Sequence, residues 1–243
     1  MKIWQKMIAM TAVTLLIGGS YLLYVWHQRR NPGALGQAAS QPVSMDDVAV
    51  VRALFITSYE QTAQLVNTTV WMKDGGVIPY FPMVGGRIDF AHPAGQVDPL
   101  QKLVIRKILK SPVPASVEDS MSHGSRQVFV LAEMPGKTGE FAIPIGAQQG
   151  NQEMYFCDLL FFYDDPHTIY DNWTKDAWAA VDAHQVRPGM SELQSRLSLG
   201  QKMHTEGSTE GDRTVSYERN GTAWKIRFEH NRAAKIESAP VKQ

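Results

Sequence analysis

The sequence contains only one cysteine, Cys157, among its 243 residues. A single thiol cannot form an intramolecular disulfide, so the fold has to be stabilised by its hydrophobic core. Cys157 lies in the run YFCDLLFFY, between apolar and aromatic residues. Free cysteine is among the most buried residue types, and a reactive thiol needs an electropositive, partly exposed setting. The sequence therefore predicts a buried structural thiol.

Several catalytic motifs are missing as well. The sequence has no H-E-x-x-H, no G-x-S-x-G and no C-x-x-C pattern, so none of the sites that these motifs mark is indicated. The segment PGKTG at residues 135–139 resembles the end of a phosphate-binding loop, but that motif requires a glycine where Leu131 stands. We interpret PGKTG as a hairpin turn and expect no cofactor.

An excess of positive charge is also missing. The chain has 24 basic and 24 acidic residues. Four of the basic residues precede the first acidic residue, Asp46, so the rest of the chain has a net charge of −4. A nucleic-acid partner calls for a basic face, and this composition therefore excludes that class of partner.

A long uncharged run near the N-terminus predicts a membrane anchor. Residues 7–26 (MIAMTAVTLLIGGSYLLYVW) contain no charged side chain. As a helix, a run of this length rises by about 30 Å, which matches the hydrocarbon core of a bilayer. Trp4 precedes the run and Trp26 ends it, and such rings prefer the headgroup layer.

The flanking charges leave the orientation of this anchor nearly balanced, since Lys2 and Lys6 stand before it and Arg29 and Arg30 after it. A short basic leader followed by one apolar run is the layout of a signal sequence, so we expect the N-terminus in the cytoplasm and the body outside it. The competing interpretation is a cleaved signal peptide. The small-residue cleavage site of that kind, at residues 34–36, lies too far beyond the apolar run, which favours an uncleaved anchor.

The remaining sequence predicts an α+β body joined to the anchor by a linker. We divide the chain into a membrane anchor (1–30), a flexible linker rich in Gly, Pro, Ala and Gln (31–43), a sheet domain (44–183) and a small C-terminal module (184–243). The apolar spacing after Ser44 predicts a helix that extends to about Asn67.

The sheet domain is predicted to be antiparallel. TTVWMK and VIPYFP flank Asp74 and Gly75, and RQVFVLAEM and EFAIPIG flank residues 135–139, so each pair predicts a hairpin. DPLQKLVIRKILK suits a helix or a strand, and we favour a strand. Two covering helices are expected, one capped by Asp164 or Asp165 and one capped by Thr174.

The C-terminal module combines a helix with a meander of three strands. Ser191 and Gln194 form a capping box, and RTVSYE, AWKIRFE and RAAKIE are the strands. In the middle strand Trp224, Ile226 and Phe228 alternate with charged residues, which predicts one buried and one wet face. On the wet face, Lys225 and Arg227 are the candidate partner-binding residues.

This stretch, at about residues 184–239, resembles the SmpA/BamE family of small domains. The residues that match the helix signature are Gly189, Met190, Ser191, Leu199 and Gly200, and those that match the strand signature are Ile226, Phe228, Asn231 and Ile236. The resemblance implies an exported protein-binding module. It does not carry over a role in outer-membrane barrel assembly, because the family's lipid-bearing cysteine is replaced here by a membrane helix. The middle region resembles no characterised family.

One polar cluster carries the alternative function. Asp164, Asp165 and His167, together with Asp89 and His92, could hold a divalent metal or act as acid and base. However, Asp-Asp-Pro is also ordinary chemistry for the start of a helix.

We therefore predict a single-pass protein of the inner (cytoplasmic) membrane whose body lies in the periplasm or outside the cell. Its predicted function is non-catalytic protein binding or envelope assembly. A metal-dependent or acid/base hydrolase built on the cluster at 89–92 and 164–167 is the alternative.

Overall fold

The computed structural model describes residues 18–21, 47–75, 78–114, 117 and 126–241. The chain divides into two compact units, Met1–Pro42 and Val43–Gln243. Of the first unit, only the helical residues 18–21 are described. The rest of the predicted anchor (7–26) and the predicted linker (31–43) lie outside the described residues. Within the described ranges, the search for a helix long and apolar enough to cross a membrane found none.

The second unit is a mixed α+β body, as predicted. Over its described residues, thirteen strands and four short α-helices alternate irregularly along the chain. The strands are β1 (Thr69–Met72), β2 (Pro79–Val84), β3 (Arg87–Ile88), β4 (Gly95–Gln96), β5 (Lys102–Ser111), β6 (Arg126–Glu133), β7 (Glu140–Gln149), β8 (Gln152–Tyr155), β9 (Phe161–Phe162), β10 (Lys202–Glu206), β11 (Thr214–Arg219), β12 (Thr222–Glu229) and β13 (Arg232–Pro240). The helices are α1 (Cys157–Leu160), α2 (Pro166–Ile169), α3 (Lys175–Asp182) and α4 (Glu192–Leu199).

Nine strands form a large sheet in which all pairs are antiparallel. The main order is β3-β2-β7-β6-β5-β1-β9, with β4 on β2 and β8 on β7. The predicted hairpin at PGKTG is confirmed as the β6–β7 connection, where Val130 lies opposite Ile143. The ambiguous segment is strand β5, as favoured. Its Leu103 and Ile105 are fully buried in the main core.

The predicted hairpin around Asp74 and Gly75 is wrong. β1 and β2 do not pair with each other, because β1 lies between β5 and β9 while β2 pairs with β7. Gly75 does adopt a positive φ of 60°. It packs against a neighbouring backbone, however, since a Cβ there would lie 2.3 Å from Pro99 N.

The predicted long helix at 44–67 is also wrong over the residues described. Residues 48–58 are not helical, and Glu60–Leu65 form a 3-10 helix. Phe55 adopts a left-handed φ of 51°, which ends any right-handed helix. The carboxylate of Asp158 accepts hydrogen bonds from the N–H groups of Leu54 and Phe55, both at 2.9 Å, so partners distant in sequence determine the local backbone.

The two predicted helices and their caps are confirmed, and the buried residues of the second one belong to the cluster under the four-stranded sheet. Asp165 caps α2 by accepting a hydrogen bond from the N–H of His167, and Pro166 occupies the first turn. Thr174 caps α3 by accepting from the N–H of Ala177. These caps satisfy backbone donors that the first turn of a helix leaves free.

The C-terminal helix α4 has the predicted capping box of Ser191 and Gln194. The sheet that follows has four strands in the order β10-β11-β12-β13, so the prediction of three strands missed β10. β10 lies at an edge, and its exposure does not alternate. It therefore lacks the period of two that marks a half-buried strand.

A second hydrophobic cluster lies on the inner face of the four-stranded sheet. It combines strand residues such as Ile226 and Phe228 with Leu197 of α4 and Trp178 of α3. Trp224 packs against this cluster and is partly buried. Because Phe162 and Tyr170 also belong to it, side chains from both predicted modules build one core. The predicted boundary between 183 and 184 stays a prediction.

Candidate functional site

The outer face of the four-stranded sheet is the candidate site, and it follows from the alternation of β12. Ile226 and Phe228 are at most 1% exposed, while Lys225, Arg227 and Glu229 between and beside them are exposed. The predicted buried and wet faces of this strand are therefore confirmed. Side chains of successive strand residues point to opposite faces, so a buried inner face leaves a continuous outer face of polar residues.

Cross-strand register arranges this outer face in two rows. Glu206, Thr214, Arg227 and Lys235 form one row, and His204, Ser216, Lys225 and Glu237 form the other. Arg227 lies directly opposite Lys235. Like charges that are directly opposite destabilise a sheet, so this pair favours a nearby carboxylate.

Each cation of the outer face has an anionic neighbour. Lys225 Nζ lies 2.9 Å from Glu206 Oε1, and Arg227 Nε lies 2.9 Å from Glu229 Oε1. The hydrogen bond from Lys225 lowers the pKa of Glu206 and raises that of Lys225. The side chains of Lys225 and Arg227 are 48% and 63% exposed. Such exposed pairs contribute little to stability and can exchange partners.

Beneath this face, a buried ion pair anchors α4 to the segment just before β11. The side chain of Glu192 is 3% exposed, and its carboxylate accepts from Arg213 and from the N–H of Gly211. Asn231 in turn accepts a hydrogen bond from the N–H of Glu192 at 3.2 Å. The helix therefore has a fixed position on the sheet. Sequence reasoning missed Glu192, because its spacing marks it only as a first-turn acidic residue.

Asp47 joins the start of the described body to this module. Its Oδ1 accepts from Ser191 Oγ at 2.8 Å and its Oδ2 accepts from Asn231 Nδ2 at 2.6 Å. The contact spans more than 140 residues, and nothing in the spacing of the sequence indicates it.

The alternative site residues fall into separate small groups. His92 Nδ1 lies 2.9 Å from Asp89 Oδ2 on the exposed segment after β3. That hydrogen bond lowers the pKa of Asp89. Asp164 lies 3.7 Å from Arg52 Nε, so its partner is a cation. These contacts are ordinary surface pairs.

His167 has a more constrained setting. Its Nδ1 lies 3.2 Å from Asp165 Oδ1 and its Nε2 lies 3.1 Å from Asp182 Oδ2. The ring stacks on Trp178, with centroids 3.9 Å apart. The sequence did not indicate Asp182 as a partner of His167. Asp182 is the last residue of α3, and its carboxylate meets the imidazole of His167 in α2. Among the residues described, no three His, Cys, Asp or Glu side chains are placed to hold one metal ion.

A cleft of about 390 Å³ lies beside the turn between β11 and β12. Arg219 lines it and lies 2.8 Å from Asp98, which comes from the loop after β4. This ion pair links the four-stranded sheet to the large sheet. The cleft is lined by residues of both sheets, among them Met203 of β10, and by Gln201.

Comparisons with protein-family models, with curated proteins and with solved structures found no match to this chain.

Proposed function

We propose that this chain is a single-pass membrane protein whose extracytoplasmic body binds another protein without catalysing a reaction. The proposed docking surface is the outer face of the four-stranded sheet around Lys225 and Arg227. The proposed partner is a protein surface of mixed charge, because cations and carboxylates alternate on this face.

One observation carries the proposal. The outer face is a charged surface that is held rigidly from below by the second hydrophobic cluster and by the Glu192 pair with Arg213. A rigid surface loses little conformational entropy on binding, since its backbone is already ordered. Complementary charges then raise the association rate and select the partner. The resemblance of residues 184–239 to the SmpA/BamE family supports the same proposal.

The placement outside the cytoplasm rests on the sequence of the leader and of residues 7–26. A reporter that is active only after export, fused after Gln243, should be active. The N-terminus of the mature protein should still contain residues 7–26. Detection of a mature N-terminus near Gln37 would contradict the uncleaved anchor, and an inactive reporter would contradict the exported body.

Docking is tested by capture from native membranes with the body as bait. We expect a defined partner to bind the wild type and to be lost with Lys225→Ala/Arg227→Ala. The matched control is Arg106→Ala/Lys107→Ala, which removes the same charge at exposed positions of β5 in the large sheet. Equal capture by both double variants would contradict docking on the outer face.

The second proposal is an acid/base hydrolase, and His167 is the observation that favours it. The imidazole lies between the carboxylates of Asp165 and Asp182 with its side chain 49% exposed, so three groups that can carry protons meet at one exposed place. However, Asp165 already caps α2 and His167 stacks on Trp178. Both contacts have a structural explanation, which places this proposal second.

A further inference from the structure

Four large apolar side chains are exposed on and beside the first described segment of the second unit, residues 47–56. Val50 is 98% exposed, Phe55 is 77% exposed and Leu159 is 73% exposed. Val48 is exposed as well. Single exposed apolar residues are normal on a protein surface, whereas a contiguous group of them marks an interaction site.

The segment that carries Val48 and Val50 is fixed to the body by the residues between and after them. Ala49 and Val51 pack against the second hydrophobic cluster. Exposure alternates over residues 47–52 as a result, with every second residue exposed. The two valines are therefore held outward by a packed segment.

Phe55 is exposed in an unusual backbone conformation. Its φ is 51°, and a positive φ is an outlier for a bulky residue. Its N–H and that of Leu54 donate to the carboxylate of Asp158, both at 2.9 Å, while the Leu54 side chain packs against the main core. Such strain persists only where the surroundings fix it, and it is concentrated at functional positions.

Leu159 lies close to Phe55. It follows Asp158 in α1, and the carboxylate of Asp158 is the group that binds the N–H of Phe55. Consecutive Cα atoms are only about 3.8 Å apart, so the two exposed residues are neighbours on the surface. We call Val48, Val50, Phe55 and Leu159 the apolar ridge.

The place of the ridge in the chain indicates what covers it. Residues 27–47 connect the end of the proposed anchor to Val48. If this connection is a flexible chain, its r.m.s. end-to-end distance is about 25 Å. The tether keeps the ridge close to the bilayer, so the effective concentration of lipid is high and a weak insertion is sufficient.

The chemistry of the ridge also suits a bilayer surface. Aromatic and aliphatic side chains enter the boundary between headgroups and acyl chains. Residues 47–58 contain one acidic and one basic side chain, and the basic one, Arg52, lies 3.7 Å from Asp164. The ridge offers apolar surface without a basic cluster, so its insertion should not require anionic lipids.

We propose that the apolar ridge inserts into the headgroup region of the bilayer that carries the anchor. This inference rests on the proposed membrane attachment and adds a second contact with lipid. A second contact restricts the rotation of the body at the membrane surface. The docking surface around Lys225 and Arg227 is then presented to its partner in a constant orientation.

The test uses the full chain in phosphatidylcholine vesicles that contain lipids with a nitroxide quencher on the acyl chain. A fluorophore is attached at Phe55→Cys or at Leu159→Cys, since the buried Cys157 should not react. Lys107→Cys in β5 and Glu218→Cys in β11 are exposed control positions. Quenching at the ridge should be at least about twofold stronger than at the controls, because only the ridge reaches the acyl boundary.

A second set of variants removes the ridge and keeps the fold. Phe55→Asn/Leu159→Gln replaces two exposed apolar side chains by polar ones, and asparagine tolerates a left-handed φ better than phenylalanine. With the fluorophore at Val50→Cys, this double change should lower quenching to the control level and leave the melting temperature unchanged or higher. Met154→Gln, an exposed apolar position in β8, is the matched control and should leave quenching unchanged.

Three results would overturn the proposal. One is equal quenching at the ridge and at the control positions, or quenching at Val50→Cys that survives the double change. Another is quenching that disappears at high salt or requires phosphatidylglycerol, because charge would then hold the body at the membrane. The third is protection of the ridge in native membranes without quenching in pure lipid vesicles, which would assign the ridge to a protein partner.

Failure of the proposed anchor is read separately. Vesicles that carry Phe55→Asn/Leu159→Gln should still retain the chain when they are floated on a density gradient, because the anchor is unchanged. Loss of this variant from the vesicles would contradict the anchor. A chain that is retained, but whose ridge is not quenched, contradicts only the inserted ridge.

Discussion

Arg213 binds the carboxylate of Glu192 in a bidentate ion pair, with Nε 3.0 Å from Oε2 and Nη2 2.5 Å from Oε1. The two side chains are 12% and 3% exposed. Removal of Arg213 leaves the buried carboxylate of Glu192 with only the N–H of Gly211 and the more distant Lys202, at 3.6 Å, as partners. Arg213→Ala should therefore reduce the free energy of unfolding by about 3 kcal/mol. Chemical denaturation measures this loss.

The control for that loss is Arg106→Ala, which breaks an exposed pair with Glu133 and should cost far less than Arg213→Ala. The double variant Glu192→Leu/Arg213→Met should be more stable than Arg213→Ala, because it buries no lone charge. Equal losses for Arg213→Ala and Arg106→Ala would show that the buried pair does not anchor α4.

Phe228 is 1% exposed in the second cluster. Phe228→Ala should therefore cost about 3–5 kcal/mol, because it removes buried contacts and leaves a cavity. Lys225→Ala/Arg227→Ala should melt close to the wild type, since both side chains lie on the outer face. Thermal melting of both variants decides the register of β12, and the opposite ranking would shift it by one residue.

Asp158 is a carboxylate whose ionised form is stabilised by folding. Burial opposes its ionisation, but hydrogen bonds from the N–H of Leu54, the hydroxyl of Tyr163 and the N–H of Phe55 outweigh that effect and lower its pKa. A lowered folded pKa contributes stability above the ordinary value of 3.8, and this contribution is lost as the pH falls through the folded value.

Asp158→Asn should therefore destabilise the body by roughly 1–3 kcal/mol at neutral pH. The difference in the free energy of unfolding between this variant and the wild type should become smaller as the pH falls below the ordinary carboxyl pKa. Urea unfolding at neutral and acidic pH measures both gaps, and the exposed Asp171→Asn serves as the control. A gap that does not change with pH would contradict a role for the Asp158 charge.

Asp165 is the cap of α2, so Asp165→Ala should cost about 0.5–2 kcal/mol. His167→Ala should lower the melting temperature as well, because it removes the stacking on Trp178. Asp164→Ala is the control, since its contact with Arg52 is exposed and long. Stoichiometric metal in the wild type that is lost in both variants, with unchanged melting, would instead support the hydrolase.

The thiol of Cys157 should resist alkylation in the folded protein. It is 2% exposed, and burial raises its pKa to about 12, so the nucleophilic thiolate is scarce at neutral pH. Iodoacetamide should label the chain only after it is unfolded in urea. Labelling of the folded chain at the rate of the unfolded chain would contradict the buried position.

Local signals of the sequence predicted the features that depend on neighbours in the chain. The capping box at Ser191, the caps at Asp165 and Thr174 and the alternation around Ile226 are each set within a few residues. For the same reason the β6–β7 hairpin was predictable from its turn. Periodicity and capping report the interactions that a segment can satisfy by itself.

The features that were missed depend on distant partners. The segment around Leu54 has helical spacing, but the carboxylate of Asp158 fixes its backbone. β1 has a turn after it, yet its neighbours are β5 and β9. The Asp47 contacts and the Glu192 pair likewise join residues that no local pattern connects. The outer face was predictable from β12 alone.

The strand order also determines when each of the two sheets can form while the chain is being synthesised. Trp71 of β1 lies opposite Phe162 of β9, so the large sheet cannot be completed until some ninety further residues have been made. Until then β1 has an unpaired side, and exposed strands of this kind are prone to association. The strands β10 to β13 pair only with their neighbours in sequence, and such short-range contacts form quickly. The last part of the chain to be made can therefore fold as soon as it emerges, while the first part has to wait for its partners.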